Sequence, residues 1–368
     1  MAVARAGIRD VARLAGVSVA TVSKVFNPSR TTNIRMSDST RRRVLEAAEQ
    51  LDYTPNYGAT LLRGHSSHTI GFSLSLPGEV GAMYMSDYPR EILNGLGRAA
   101  EAGDYQILLI HGGDYRNYMD IERIDALVIL GFRVVSNAWQ AEMVDMFQRF
   151  NRRQYPYVVI NNGCDTLPVP SINLDNRHGV KLIADLIRRK GYSSVGFIGE
   201  LTSNPQSHLV EREKLLREFL AGSGVNCDES RFLSGARPGV PDLPRTGLYS
   251  HTDGMEAVRL LHRRGALPRC LVCGNDTIAQ GVICAAAQLG IRIPEELSIM
   301  TRGGASFAPG PIPLTLIAAD FEREIAEVFD GLRQLVRKEI CCFRKYLPMR
   351  IVDRGSVAEV NSAFEQRR

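Results

Sequence analysis

Apolar residues recur at helical spacing in three short stretches at the start of the chain. Ile8, Val11, Ala12, Leu14 and Ala15 share one face of a first helix. Gly16 is a natural stop, because glycine takes a left-handed conformation without steric cost. Ser18 is placed to cap a second helix, whose stripe is Val22, Val25 and Phe26. Helical spacing resumes at Val44, Leu45, Ala48 and Leu51 behind Ser37 or Ser39, and Tyr53-Thr54-Pro55 ends it.

From Ile70 the pattern changes to apolar runs of strand length alternating with amphipathic stretches. Strands are predicted over 70–76, 105–111, 126–131, 156–161, 194–199, 269–274 and 297–301. Helices are predicted over 88–102, 139–152, 176–190, 208–222, 252–264, 276–289 and 320–338. Such alternation implies parallel sheets covered on both faces. It runs too long for one compact sheet, which places a division near residue 162. The fold class expected is an N-terminal all-α helix-turn-helix domain joined to an α/β core of two parallel-sheet subdomains.

Composition narrows the function. The chain has 368 residues, 44% hydrophobic and 23% charged, with mean hydropathy −0.11, which is ordinary globular make-up. No stretch has the roughly 20 apolar residues of a membrane helix, and Met1–Asp10 lacks the apolar region of a secretory signal, so a cytoplasmic protein is expected. Residues 1–68 hold ten basic side chains against five acidic ones, and the other 35 basic and 35 acidic groups cancel. The whole net charge of +5 therefore sits in the opening segment, the footprint of a module that binds a polyanion.

Seven cysteines, an odd number, argue against a disulfide framework. Cys270 and Cys273 form a C-x-x-C, but three residues apart on a strand they point to opposite faces, so no metal site is expected. His111, Ser203 and His208 carry no nucleophile-elbow, Walker or metal-ligand spacing. No catalytic residue and no cofactor is expected. An enzyme or a solute-binding protein with an added DNA-binding module is the weaker alternative.

Two short helices joined by a glycine turn suit a DNA reader, because the second can lie in the major groove while the first crosses the backbone. The early positions of that second helix are Val19, Ala20 and Thr21, with Ser23 and Lys24 one turn on. Lys24 can donate to guanine, Val19 and Ala20 can meet a thymine methyl, and the Thr21 and Ser23 hydroxyls suit phosphates.

The run Ile8-Arg-Asp-Val-Ala-Arg-Leu-Ala-Gly-Val-Ser-Val-Ala-Thr-Val-Ser-Lys-Val-Phe-Asn27 resembles the N-terminal module of the lactose/galactose/purine repressor (LacI/GalR) family of bacterial transcription regulators. Thr40 to Asn56 continues the likeness. Asn173–Gly179, Gly191–Gly199, Gly274–Gly281 and Ile312–Thr315 follow in family order. The resemblance implies a DNA-binding domain over 1–54, a hinge helix and linker over 55–69, and an effector-binding and dimerisation core over 70–368. That core would divide into subdomains of about 70–161 and 162–320, with the chain crossing back after about 320.

The resemblance adds Asn27, Tyr53 and Asn56 to the DNA-contacting set and implies that Leu62 wedges into the minor groove. Gly58 within the hinge costs about 1 kcal/mol of helix propensity, so an unordered hinge is expected without DNA. In the core, Arg212 and Asp276 are nominated as polar contacts to a small effector, expected to be a carbohydrate, and Tyr88 as the pocket aromatic. The implied function is a homodimeric repressor that binds operator double-stranded DNA under the control of that effector. Several segments depart from the pattern: 28–36 is longer, 111–125 is shorter, and Met300-Thr-Arg-Gly-Gly-Ala305 replaces the usual glycine–aromatic–aspartate strand end.

Overall fold

The computed structural model describes residues 6–26, 37–54, 66–74, 87–110, 123–131, 137–161, 167–199, 208–234, 251–304 and 312–360. They form two compact units, Met1–Ser67 and His68–Arg368.

The first unit holds helices α1 (Ile8–Ala15), α2 (Val19–Phe26) and α3 (Asp38–Gln50). Local chemistry sets each boundary. The Asp10 carboxylate accepts the Gly7 N–H at 2.9 Å and so closes the start of α1. At its end Gly16 takes φ +63°, which lets Val17 N–H reach the Ala12 carbonyl at 3.0 Å. Ser18 Oγ accepts the Thr21 N–H at 3.1 Å and caps α2. Of the two serines expected to cap α3, Ser37 does so, accepting from Thr40 N–H at 3.2 Å. Val11, Ala12, Ala15, Val22, Val25, Val44, Ala47 and Ala48 are buried together as one small core. Small residues there let three short helices cross closely.

The second unit contains two six-stranded sheets. The first has the order β11-β5-β4-β3-β1-β2, from β1 (Thr69–Leu74), β2 (Gln106–Ile110), β3 (Ala126–Leu130), β4 (Tyr157–Ile160), β5 (Ser171–Leu174) and β11 (Arg344–Leu347). The second has the order β12-β10-β9-β8-β6-β7, from β6 (Gly196–Ile198), β7 (Phe232–Leu233), β8 (Cys270–Cys273), β9 (Ser298–Gly304), β10 (Thr315–Ala319) and β12 (Arg350–Val352). Every named pairing is parallel except β10 with β12. The helices are α4 (Asp87–Ala102), α5 (Asn137–Arg153), α6 (Asn176–Arg189), α7 (His208–Leu220), α8 (His251–Arg263), α9 (Asp276–Gln288) and α10 (Phe321–Val336).

Burial on both faces explains the unbroken apolar runs. All five residues of β3 are buried: Leu127 and Ile129 pack with Phe147 and Phe150, while Val128 and Leu130 pack with Ile92 and Leu96. Cys270 and Cys273 likewise fall into different clusters, on opposite faces of β8. Burial pushes both thiols up, that of Cys270 to about 12, which makes them core residues.

The division expected near 162 lies too early for the sheets. Ser171 and Ile172 of β5 pair with Val159 and Ile160, so the first sheet continues to Leu174. The run Ser-Ile-Asn-Leu hides this strand from an apolar pattern, because two of its four residues are polar. Both are buried and bonded to each other, Asn173 Nδ2 donating to Ser171 Oγ at 3.1 Å. After β10 the chain crosses back, and α10 packs on β3, β4 and β5. It then supplies β11 to the first sheet and β12 to the second. Of the shortened 111–125 stretch, residues 111–122 lie outside the described residues, as do 55–65 of the expected hinge and linker.

Candidate nucleic-acid interface and ligand cleft

On α2 the buried Val22 and Val25 turn the remaining positions outward. Val19 and Ala20 are exposed, and Thr21, Ser23 and Lys24 are half-buried. The Thr21 hydroxyl lies 2.9 Å from Ser18 Oγ, which ties it to the cap of its own helix. Tyr53 is half-buried and meets Phe26 edge to face, with ring centroids 5.7 Å apart and planes at 66°. The body of that ring therefore closes the small core where the chain leaves α3. Asn27, Asn56 and Leu62 lie outside the described residues. Arg41, Arg42 and Arg43 are exposed on the first turns of α3 and extend the basic surface of this unit.

In the second unit the polar side chains gather where strands end and helices begin, which is where open parallel sheets bind ligands. Arg212 on α7 is buried. It donates from Nη1 to the Gly274 carbonyl at 2.6 Å and from Nη2 to Asn176 Oδ1 at 3.4 Å. Its Nε is buried without a partner. Gly274 follows β8 and Asn176 opens α6, so this one guanidinium joins the end of β8 to the start of α6.

Asp276 is buried and accepts the Thr277 N–H at 2.8 Å. Asn275 is the cap, its Oδ1 accepting from Ile278 N–H at 2.8 Å, and Asp276 is the first helical residue. Asn275 Nδ2 is buried without a partner.

Tyr88, on the first turn of α4, enters a second cluster that the sequence reading missed. Its hydroxyl donates to Glu324 Oε1 at 2.6 Å and accepts from Asn161 Nδ2 at 2.7 Å. Asn161 directly follows β4, and its Oδ1 takes the Leu174 N–H at 3.2 Å. Arg302 of β9 lies over the Tyr88 ring, 5.7 Å from its centroid, and Phe321 packs 5.4 Å away. Glu324, on the first turn of α10, is fully buried, and its Oε2 has no partner.

Burial governs the electrostatics here. It lifts the Glu324 carboxyl to about 7, with the Tyr88 hydrogen bond and the Arg302 charge holding it down. It also raises the Tyr88 hydroxyl well above its usual value, helped by neighbouring Glu324, and lowers the Arg302 guanidinium. A glutamate three residues after an aromatic on an amphipathic helix reads as ordinary surface charge, so no pattern marks it. The altered strand end at 300–305 was the one available signal for Arg302.

A helix-turn-helix head on a core of two parallel sheets, with polar side chains collected at the strand ends, defines a class: transcriptional regulators rather than enzymes. The comparisons carry this to a family. The model described as "Bacterial regulatory proteins, lacI family" matches residues 7–56, and "Periplasmic binding protein-like domain" matches residues 184–357. Among curated relatives, the "Probable HTH-type transcriptional repressor ExuR" of Bacillus subtilis is 25% identical over 80% of each chain. The "HTH-type transcriptional regulator AscG" of Escherichia coli is 28% identical over 83% of this chain and 84% of its own. A solved lac repressor dimer, bound to operator and the anti-inducer ONPF, shares the fold. Its TM-score is 0.73 at 20% identity, covering 96% of this chain and 99% of its own. Residues 7–56 are thus a lacI-family helix-turn-helix domain, residues 184–357 a periplasmic-binding-protein-like domain, and the protein is a transcriptional regulator. No helix among the described residues is long and apolar enough to cross a membrane.

Proposed function

We propose that this protein is a cytoplasmic repressor that binds a pseudo-palindromic operator as a homodimer and responds to a small effector, a sugar or sugar derivative. The observation that carries the reading is the fixed α1–turn–α2 geometry, with Val19 and Ala20 exposed beside Lys24 on a helix whose opposite face is buried. An exposed helix of this kind fits the major groove, and two-fold symmetry of the protein would match two half-sites. Val19, Ala20 and Lys24 read base edges, while Thr21, Ser23, Asn27, Tyr53 and Asn56 hold the backbone and Leu62 enters the minor groove.

Residues 1–54 form the reading head, 55–69 the hinge and linker, and 70–368 the effector-binding and dimerisation core. Tyr88, Arg212 and Asp276 contact the effector. A ligand that bridges the two sheets favours one arrangement of them, and by linkage it changes operator affinity by the same factor that operator binding changes ligand affinity.

The test is selection of genomic fragments on the purified full-length protein, followed by footprinting. Enrichment of fragments carrying two related half-sites is the expected result. Failure to retain any fragment, with or without added metabolites, overturns it.

A further inference from the structure

Unsatisfied donors outnumber acceptors among the groups at the strand ends. The Arg302 guanidinium makes no hydrogen bond to any described residue; its contact is the Tyr88 ring, 5.7 Å to the centroid. A guanidinium carries five N–H groups in a planar fork and leaves them without acceptors only at a cost. Arg212 Nε and Asn275 Nδ2 are two further buried N–H groups without partners. Among the described residues, Glu324 is the carboxylate whose charge acts on Arg302. It does not ion-pair with that guanidinium: its Oε1 is taken by Tyr88 and its Oε2 touches no polar group. Its carboxyl is lifted to about 7, so near neutral pH a large share of it is uncharged and leaves the cation uncompensated.

We propose that the effector is an acid, and that its carboxylate or phosphate group is bound by Arg302, which selects acidic ligands over neutral ones. The proposal rests on the reading of these strand ends as an effector cleft and names the chemistry of its ligand. Tyr88, clamped between Asn161 and Glu324, packs its ring against the guanidinium, whose N–H fork suits a bidentate contact. Arg212 and Asn275 supply donors for the polyhydroxy remainder of the molecule. An arginine fork suits a planar carboxylate and a phosphate alike, so the two sources are separated by experiment.

The test is isothermal titration of the full-length protein with probes matched except for charge. D-galacturonate is paired with D-galactose, D-gluconate with D-glucitol, and glucose 6-phosphate with glucose. At least one acid is expected to bind roughly 10- to 100-fold more tightly than its neutral partner, the span of one charge-assisted hydrogen-bonded contact. Binding by the first two acids or by the last identifies carboxylate or phosphate as the source.

Arg302→Met should abolish that preference, and Arg302→Lys should keep part of it. The lysine variant, together with the unfolding transition of each variant, separates lost selectivity from lost folding. Neutral probes binding as well as acids, or an acid preference that survives Arg302→Met, overturns the proposal and leaves the effector cleft intact. Silence of every acid and every neutral probe overturns the proposal together with the effector reading on which it rests.

Discussion

Glu324→Gln is expected to make the protein more stable at alkaline pH and to leave it nearly unchanged in acid. Glu324 is wholly buried, and burial raises its carboxyl from the ordinary 4.5 to about 7. A carboxyl raised in the folded state binds more protons there than in the unfolded chain. Its contribution is therefore present at low pH, declines as pH climbs through the window from 4.5 to about 7, and is lost above that window. A shift of that size corresponds to about 3 kcal/mol of destabilisation at pH 8.

Glutamine keeps an oxygen to accept from Tyr88 and carries no charge, so the variant should lack this pH-dependent loss. Urea denaturation of the core at pH 4.5, 6 and 8, for wild type and variant together, gives the comparison. The gap between them should widen by about 2 to 3 kcal/mol from pH 4.5 to pH 8. All other titrating groups are common to both proteins and cancel. The neutral amide packs the same way at every pH, so its own fit shifts both ends of the curve equally. Parallel stability profiles across this range would refute the buried-carboxyl argument.

Lys24→Ala should weaken binding to the selected operator by about 1–3 kcal/mol and random DNA far less; equal losses on both, read by fluorescence anisotropy, would make Lys24 a phosphate contact only. Operator affinity should fall steeply between low and physiological salt as counterions are released, and a flat response would count against a basic reading head. Ser37→Ala removes the cap of α3 and should cost the head about 1 kcal/mol, seen as a lower melting temperature of that unit. Gly281→Ala should destabilise the core by about 3 kcal/mol, because a Cβ there would overlap the His251 carbonyl where α9 crosses α8; unchanged denaturant midpoints would show that the helices can part.

The reading head was legible because its determinants are local. Gly16, Ser18 and the Val22/Val25 stripe act within a few residues of one another, and a turn, a cap and a helical face need no distant partner. The long helices and the apolar strands were legible for a related reason, since burial on both faces of a sheet writes itself as an uninterrupted run such as Ala126–Leu130. Chain neighbours settled these elements.

The polar clusters at the strand ends were legible only in part. Arg212, Asp276 and Tyr88 could be nominated by position, but their surroundings depend on residues far along the chain. Tyr88 bonds Glu324 across 236 positions, and Arg212 reaches Gly274 across 62. Asn161, Arg302 and Glu324 look like ordinary surface residues until two sheets bring β4, β9 and α10 beside α4. The short polar β5 was hidden in the same way, because its strand character comes from pairing with β4 rather than from its own pattern. Local spacing thus determined the elements and the exposed face of α2. Tertiary packing alone decided which polar groups lose water together, and with that their charge states and the ligand chemistry they admit, because desolvation is a property of the surroundings and not of the residue.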